Sequence, residues 1–595
     1  MKRKALFSRV AKGLVPLATF ALAAGATAAP TKVGDFGLID HVGDQHQLSR
    51  LGYHKAVVVI SQDNSCQANI DNLPKYKLLR TTFEPMGVKF LMMNASGKDS
   101  LQSVQKLASI YDIDFPIMID DTQLATETLG VKQAGEILVL DPKSNALVYR
   151  GPLDSPPNRR AKTPGTTHLA DAIQAVLDGK HTQMATKELP VEAACDLEFP
   201  VKAMHAKAAP DYAEDVAPIL EKNCVHCHVQ GGIGPFAMDS YPMVRGFAPM
   251  IREVVMTKRM PPAQVDPTYN HFTNANYLTK EETQTLVHWI DAGAKRGDSK
   301  VDPLTTVAAI EQGWQLDEEP DLIIEVPSFT VPATGVLDYF NNVIKLDFEE
   351  DKYVRAVQFI PGDKRVLHHL LAYITSPGGD NRVLNEEDVR DFLEGYAPGK
   401  TDVTVFPENT GVFIPKGFEL SMQMHYTTFG KEVVDSTKVG LWFHDKKPEY
   451  KYLTKSVSLG GPNLTLRPNE PEHAMNNHYV FDHDTMLYAM RPHMHYRGKA
   501  FRFSAIYPDG RREVLLNVPN YNFAWQPTYR LEKPIFLPAG TRVVNDAVFD
   551  NSEFNPGNPD PATVVKGGAQ SWDEMFIGYY TYTNLEEGTP KYSQN

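Results

Sequence analysis

The chain contains few cysteines for its length. Among its 595 residues there are four, Cys66, Cys195, Cys224 and Cys227. Four cysteines are too few for the dense disulfide framework that stabilises small secreted domains. We therefore expect each cysteine to take part in a specific site.

Basic residues are fewer than acidic ones, and long apolar runs are scarce. The chain has 60 Lys and Arg residues against 73 Asp and Glu, which gives a net charge of −13. This acidic balance disfavours nucleic acid as a partner. After the first residues, no stretch approaches the about 20 apolar residues that a membrane-spanning helix needs. We expect no transmembrane segment in the mature protein.

The N-terminus holds a targeting pattern. Residues 1–29, "MKRKALFSRVAKGLVPLATFALAAGATAA", combine a basic start, a short apolar run and small residues before Ala28 and Ala29. This pattern predicts a signal peptide that is cleaved after one of these two alanines, with a membrane anchor as the alternative. Cleavage would leave a mature protein in the periplasm or outside the cell.

Residues 30–198 read as an α/β domain, in a chain long enough for about four domains. Strand and helix patterns alternate, and Cys66 follows the β-branched run "KAVVVIS" where a helix begins, a position that favours the thiolate. The segment resembles the redoxin group of the thioredoxin superfamily over about residues 33–198. It has no C-x-x-C, and Gly135 stands where the family has a cis-proline.

The resemblance leaves the role of this domain open. Cys195 lies where some redoxins carry a second cysteine, so Cys66 and Cys195 form either a disulfide or two unpaired thiols. A scaffold or docking module is one interpretation. A thiol-dependent peroxidase or reductase acting through Cys66 is the other.

A haem-attachment motif follows in residues 199–305. Cys224, Cys227 and His228 form C-x-x-C-H, which predicts two thioether bonds to haem c and one axial imidazole. A zinc knuckle would need two further ligands close by. The sixth ligand is expected downstream, where Met250, Met256 and Met260 are candidates.

Met260 is the preferred axial ligand. It precedes Pro261 and Pro262, which restrict the loop after a helix. The segment resembles cytochrome c modules fused to bacterial oxidoreductases, in which the methionine of such an R-M-P-P run is the ligand. This implies a small all-α cytochrome c domain that transfers single electrons. A closing helix is predicted from a Thr N-cap to Gly293.

The C-terminal half reads as two tandem β-sandwiches of the jelly-roll type, residues 306–455 and 456–595. Short alternating strands, prolines and turns indicate this class. Four motifs stand out, "VLHHLLAY", "MQMHYTTFG", "RPHMHYRGK" and "SWDEMFIGYY". They supply two sets of possible metal ligands, which are His368, His369 and His425 in the first sandwich and His493, His495 and Met575 in the second.

The two sets differ in chemistry. Three imidazoles suit copper, zinc or iron, whereas two imidazoles with a thioether select copper, especially Cu(I). His368 and His369 should point to opposite faces of a regular strand, so the strand must twist or bulge there if both bind one ion. His493 and His495 are expected on one face of a single strand, where they bind one metal ion or belong to an exposed polar face.

These motifs closely resemble the copper type II, ascorbate-dependent monooxygenases over about residues 315–590. The resemblance implies an electron-transfer copper at the first set and an O2-binding copper at the second. It also implies that Arg491 and Tyr579 hold a substrate carboxylate, with Gln423 as a further substrate-side residue. Ile577 replaces the asparagine that the peptide-hydroxylating members use.

Together these features predict an exported copper monooxygenase that hydroxylates a C–H bond of a small or peptide substrate with O2. Its own haem c would deliver the electrons, which a periplasmic donor supplies. Two alternatives stay open, which are a non-catalytic copper and haem protein and a thiol enzyme acting through Cys66.

Overall fold

The computed structural model describes residues 31–155, 167–180, 195–230, 232–306, 313–378, 391–397, 400, 402–459 and 463–585. The predicted signal peptide, residues 1–29, lies outside these ranges. The described chain forms an α/β part, a helical part and a large β-rich part. Within these ranges, no helix has the length and apolar composition that crossing a membrane requires.

The α/β part contains a mixed sheet with helices around it. Its elements are β1 (Gly37–Ile39), β2 (Gln45–Gln47), β3 (Ala56–Gln62), α1 (Gln67–Phe83), β4 (Val88–Asn94), α2 (Leu101–Ile110), β5 (Ile117–Ile119), α3 (Leu124–Leu129), β6 (Gln133–Ala134), β7 (Ile137–Asp141), β8 (Ala146–Gly151), α4 (His168–Leu177) and β9 (Cys195–Asp196). Short 3₁₀ helices lie at Leu48–Leu51 and Glu84–Met86.

This part has a thioredoxin-like fold. The strand order is β5-β4-β3-β7-β8, with β3, β4 and β5 parallel to one another and β7 antiparallel to both β3 and β8. Every residue of the central strand β3 is buried. This continuous burial arises because both faces of the sheet are covered, one by α1, α2 and α4 and the other by α3 and helices that follow later in the chain. The predicted α/β class is thereby confirmed.

The next part is helical. Its elements are α5 (Pro200–Lys207), α6 (Ala217–Leu220), α7 (Tyr241–Met256) and α8 (Lys280–Asp291), with π-helical turns at Tyr212–Val216 and Glu221–Val225 and a 3₁₀ helix at Pro303–Thr306. The helix α8 begins at the N-cap Thr279, where a capping box with Glu282 satisfies two backbone N–H groups. The predicted Thr N-cap is confirmed.

The β-rich part contains two pairs of packed sheets. Its strands are β10 (Leu322–Glu325), β11 (Phe329–Val331), β12 (Phe340–Lys345), β13 (Lys352–Ile360), β14 (Leu367–Thr375), β15 (Asp391–Tyr396), β16 (Thr404–Val405), β17 (Thr410–Ile414), β18 (Glu419–Tyr426), β19 (Val433–Asp435), β20 (Lys438–Phe443), β21 (Tyr450–Lys451), β22 (Leu453–Leu459), β23 (Thr465–Leu466), β24 (His473–Val480), β25 (Thr485–His493), β26 (Gly498–Ile506), β27 (Arg512–Val518), β28 (Tyr529–Leu537), β29 (Arg542–Phe549), β30 (Val565–Lys566) and β31 (Phe576–Asn584).

Each pair of sheets forms a sandwich. In the first, the sheet β10-β20-β13-β17-β21 packs against β12-β18-β14-β15. In the second, β22-β31-β25-β28 packs against β24-β29-β26-β27. The strand β22 begins at Leu453 and belongs to the second sandwich, so this sandwich starts slightly before the predicted boundary at residue 456.

Apolar clusters cross the predicted domain boundaries. Val59 of the thioredoxin-like sheet lies in the same buried cluster as Leu220 and Trp289 of the helical part. Val265 and Phe272, from the loop between α7 and α8, lie in the core of the second sandwich. Within the described residues, the helical part therefore shares its core with both neighbours.

Candidate metal centres

The first candidate centre lies on two paired strands of the first sandwich. His368 and His369 are adjacent on β14, and His369 faces His425 on β18. The pairing shifts register between Leu367 and His369, so the strand is irregular at the place where two adjacent imidazoles would have to face one ion. One nitrogen from each of the three imidazoles lies within 4.8 Å of the others.

Burial keeps these imidazoles neutral. It lowers the pKa of His425 to about 3, with further contributions from His368 and His495. Burial, together with His495, lowers the pKa of His368 to about 4. The same effect holds the pKa of His369 well below its usual value. Neutral imidazoles present the lone pairs that metal ions bind.

One buried nitrogen supports the assignment of a metal site. His425 Nδ1 is buried and has no hydrogen-bond partner among the described residues. A buried polar atom without a partner is unusual in a folded protein. A metal ion between the three imidazoles would supply the missing partner, so these residues fit a metal.

The second candidate centre lies in the second sandwich. His493 ends β25, His495 lies in the turn that follows, and Met575 directly precedes β31. The expectation that both histidines lie on one strand is therefore wrong, because the chain leaves β25 after His493. Their ring centres nevertheless lie only 5.2 Å apart.

Hydrogen bonds fix both rings of this set. His493 Nδ1 donates to Oε1 of Gln526 at 2.6 Å, and His495 Nδ1 lies 3.1 Å from the carbonyl oxygen of Asp573, to which it donates. With Nδ1 protonated, Nε2 carries the lone pair in each ring. Burial lowers the pKa of His495 to about 4 and holds that of His493 well below its usual value.

Glu574 holds the backbone of the second set in place. Its carboxyl group accepts the backbone N–H of His495 at 2.8 Å and that of Arg497 at 2.7 Å. Burial raises the pKa of Glu574 to about 8. The D-E-M motif thus combines a candidate ligand, Met575, with the side chain that holds the turn at His495.

Both sets open into one cavity of about 360 Å³. Its lining includes His369 and His425 from the first sandwich and His493, His495 and Met575 from the second. The residues expected on the substrate side, Arg491, Tyr579 and Gln423, line the same cavity. The structure thus brings together residues from four separate sequence motifs.

Two aromatic rings flank the guanidinium group of Arg491, which lines this cavity. The guanidinium carbon of Arg491 lies 4.1 Å from the ring centre of Tyr579 and 5.0 Å from that of Phe392. Arg491 is buried. The sequence did not identify Phe392, nor Tyr339, whose ring centre lies 4.2 Å from that of His425. Neither residue belongs to a recognisable motif.

The haem-attachment motif, Cys224 to His228, begins in the π-helical turn at Glu221–Val225 and continues beyond its end. His228 Nδ1 lies 3.0 Å from the carbonyl oxygen of Phe236, so it donates there and leaves Nε2 free. Gly234 packs against the imidazole so closely that an added Cβ would lie 2.7 Å from Nδ1. Cys224 and Cys227 are free thiols. These donors fit a covalently attached haem with an imidazole ligand.

The three methionine candidates differ in burial. Met250 is 52% exposed on α7, whereas Met256 is buried in the cluster shared with the thioredoxin-like part. Met260 follows α7, is half-buried, and its backbone N–H donates to the carbonyl oxygen of Val254 at 3.1 Å. Met256 thus has a packing role, and Met260 stays the predicted axial ligand.

The two remaining cysteines form a disulfide. Cys66 is the N-cap of α1, and it is bonded to Cys195, with a Cα–Cα distance of 5.8 Å. Cys66 is buried, and Cys195 lies on β9, which pairs with β6 beside Gly135. The bond ties the chain that leads into the helical part to the thioredoxin-like fold.

Comparisons with known proteins concern only a part of the chain. No protein-family profile matches it, and no curated protein matches it. Peroxidoxin BcpB from Mycobacterium tuberculosis is 16% identical and covers 25% of this chain and 96% of its own, with a TM-score of 0.20. The thioredoxin domain of thiol-disulfide oxidoreductase BVU-2223 from Bacteroides vulgatus is 15% identical and covers 20% of this chain and 85% of its own, with a TM-score of 0.18.

A third similar structure is the hypothetical protein SMc02350 from Sinorhizobium meliloti 1021. It is 21% identical and covers 29% of this chain and 93% of its own, with a TM-score of 0.25. The strand order of the sheet in residues 31–155 is thioredoxin-like independently of these similarities.

Proposed function

We propose that this protein is an exported copper-dependent monooxygenase that hydroxylates a C–H bond of a small or peptide substrate. The observation that carries the proposal is the single cavity lined by His369 and His425 of one set and by His493, His495 and Met575 of the other. Copper bound at the two sets would supply the one-electron redox steps and the O2 activation that hydroxylation needs. The reaction consumes O2, two electrons and two protons, and forms the alcohol and water.

The residues of the chain have distinct tasks in this proposal. Gln526 and the carbonyl of Asp573 orient the two imidazoles of the second set. Met575 offers a soft thioether, which suits Cu(I). Arg491 presents its guanidinium group beside Tyr579, where it can bind a substrate carboxylate.

The helical part is proposed to receive electrons from a periplasmic donor. Cys224, Cys227 and His228 would hold a haem c, with Met260 as the sixth ligand, and this group would supply one-electron transfer. The segment 274–276 links this motif to the second sandwich, since Asn276 Nδ2 donates to the carbonyl oxygen of Asn223 at 3.1 Å and Asn274 Nδ2 donates to that of Thr528 at 2.8 Å.

A non-catalytic copper and haem protein is the main alternative. Such a protein has no need for a cavity beside its metal ligands. The cavity of about 360 Å³ next to Arg491, Tyr579 and Met575 favours an enzyme that admits a substrate.

Thiol chemistry is the second candidate function. A disulfide at the N-cap of α1 in a thioredoxin-like fold is the observation that favours it. The burial of Cys66 opposes it, because exchange requires that a thiolate reaches a disulfide sulfur. If exchange occurs, a Cys66→Ser variant should lose thiol-dependent reductase activity and keep copper binding.

Copper titration tests the main proposal. We expect two copper ions per chain in the wild type and one in Met575→Ala. Loss of a side chain that hydrogen-bonds a metal ligand weakens metal binding by about 10- to 100-fold, and loss of the ligand itself should weaken it further. Met86→Ala, at a methionine that is 47% exposed, is the matched control. Incorporation of labelled oxygen from O2 into a product should disappear in Met575→Ala. A fully active Met575→Ala protein would refute the proposal.

A further inference from the structure

The loop between β27 and β28, residues 519–528, contacts both sets of candidate ligands. The ring centre of Phe523 lies 5.2 Å from that of His368, with the rings stacked, and 5.6 Å from that of His495. It also lies 6.2 Å from the ring centre of His369. These histidines belong to different sandwiches, so one aromatic side chain bridges the space between the two sets.

Gln526 connects this aromatic ring to a candidate ligand. Its Oε1 accepts the N–H of His493 at 2.6 Å, and its Nε2 donates to the carbonyl oxygen of Phe523 at 2.8 Å. The amide is therefore held at both ends. The orientation of the His493 ring is linked to the backbone that carries Phe523.

Tyr521 fixes the chain between the two histidines of the second set. Its hydroxyl accepts the backbone N–H of Met494 at 3.0 Å and donates to the carbonyl oxygen of Met494 at 2.6 Å. Gly498 makes this approach possible, because an added Cβ would lie 2.7 Å from the Tyr521 ring. Tyr521 thus sets the path of the chain from His493 to His495.

The same loop holds the segment around Met260. Asn520 Nδ2 donates to the carbonyl oxygen of Lys258 at 3.1 Å. Directly after the loop, the hydroxyl of Tyr529, the first residue of β28, donates to the carbonyl oxygen of Ala263 at 2.5 Å. Lys258 and Ala263 lie on either side of Met260. One loop therefore contacts both histidine sets and the segment with the predicted haem ligand.

We propose that residues 519–528 form a positioning loop that holds the two ligand sets at a fixed spacing, with Phe523 keeping water out of the space between them. The inference rests on the proposed function, and it assigns roles to Phe523 and Gln526 as positioning residues. Neither residue is a metal ligand. Gln526 acts through the ring of His493, and Phe523 acts through the spacing of the two sets.

Electron paramagnetic resonance of the protein loaded with Cu(II) tests the spacing between the two ligand sets. In the wild type, the two ions should broaden each other's signals relative to the sum of the spectra of Met575→Ala and His425→Ala. Phe523→Ala should lose at least half of this broadening and gain a coupling to solvent deuterons in D2O. Phe523→Leu, which keeps most of the volume, should show an intermediate effect. Phe536→Ala, at a phenylalanine that is 40% exposed on β28, is the control and should match the wild type.

A pair of substitutions at Gln526 tests the orientation of His493. Gln526→Leu removes the acceptor for His493 Nδ1 and should weaken copper binding at the second set by about 10- to 100-fold. Gln526→Glu keeps an acceptor oxygen and should restore most of this affinity. Equal affinities in both variants and in the wild type would overturn the role of Gln526.

The outcomes separate this inference from the proposed function. A wild-type chain that binds fewer than two copper ions would overturn both. Two bound ions with unchanged broadening in Phe523→Ala and Phe523→Leu would overturn the positioning role alone. Loss of broadening in Phe523→Ala, with two ions still bound, is the result we expect.

Discussion

At the scale of single residues, the candidate ligands could be identified from the sequence because they occur in short motifs. His368, His369 and His425 meet at one point, as the motifs predict. Phe523 and Gln526 could not be identified, because their roles depend on contacts with residues distant in the chain. Chemistry that requires particular side chains is visible in a sequence, whereas chemistry that requires spatial neighbours is not.

Asp120 offers a residue-scale prediction about pH. It is fully buried after β5, and burial raises its pKa from 3.8 to about 6, although Thr126 donates two hydrogen bonds to it. The folded state then binds a proton that the unfolded state has released, so the stability contribution of Asp120 is lost as the pH rises from 3.8 through about 6. Between pH 5 and 7.5 this loss should be about 1.4 kcal/mol.

The variant Asp120→Asn should not show this loss. Thermal unfolding at the two pH values, compared with the wild type, measures the difference. If the difference in unfolding free energy between the variant and the wild type is the same at both pH values, Asp120 is already ionised at the lower pH.

At the scale of secondary-structure elements, the shape of a strand can be predicted from the sequence where a motif requires a particular geometry. The register shift in β14 agrees with the prediction that two adjacent histidines can face one ion only if the strand twists or bulges. The H-x-H motif was expected within a strand, but β25 ends at His493. Glu574 accounts for this end, since its carboxyl group holds the turn through the N–H groups of His495 and Arg497.

Gly234 gives a prediction for the turn that follows the haem motif. An added Cβ would lie 2.7 Å from His228 Nδ1 and 2.8 Å from its Cγ, so the imidazole must move in Gly234→Ala. We expect at least a halving of haem incorporation, or a loss of the low-spin absorption bands that two axial ligands produce. Gly246→Ala, whose Cβ meets no atom within 4 Å, is the matched control. Normal spectra in both variants would contradict the placement of His228 as a ligand.

At the scale of the whole molecule, the parts are joined more closely than the sequence predicts. The helical part shares one apolar cluster with the thioredoxin-like sheet, and its loop enters the core of the second sandwich. The thioredoxin-like part also contacts the second sandwich directly, through Arg50 and Asp550 at 3.1 Å and through Asn517, which donates to the carbonyl oxygen of Gly43 at 2.8 Å. Shared cores cannot be predicted from patterns within a segment, because they depend on how the segments dock.

The pair Arg50–Asp550 tests this docking. The Asp550 side chain is fully buried and that of Arg50 is 13% exposed. Removing one partner of a buried pair leaves an uncompensated charge, so Arg50→Met should lower the free energy of unfolding by about 3 kcal/mol. Lys75→Met, which breaks a pair with the exposed Asp154, should cost less than about 1 kcal/mol. Urea unfolding of both variants measures the difference, and equal losses would argue against a tightly docked N-terminal part.

The docking also gives the thioredoxin-like part a structural task. Its disulfide holds the segment that leads into the helical part, and its surface contacts the second sandwich beside the loop at residues 519–528. It therefore supports the second sandwich next to that loop.

The most direct test of the account uses haem absorption as an internal signal. The copper-loaded protein is reduced without oxygen, O2 is admitted, and haem reoxidation is followed with and without small amidated or phenolic compounds. Haem reoxidation should require copper, consume O2 and become faster with at least one compound. The Met260→Ala variant should lose this copper-dependent reoxidation, while its copper loading stays intact. Reoxidation that is indifferent to copper and to every compound would contradict the proposed function.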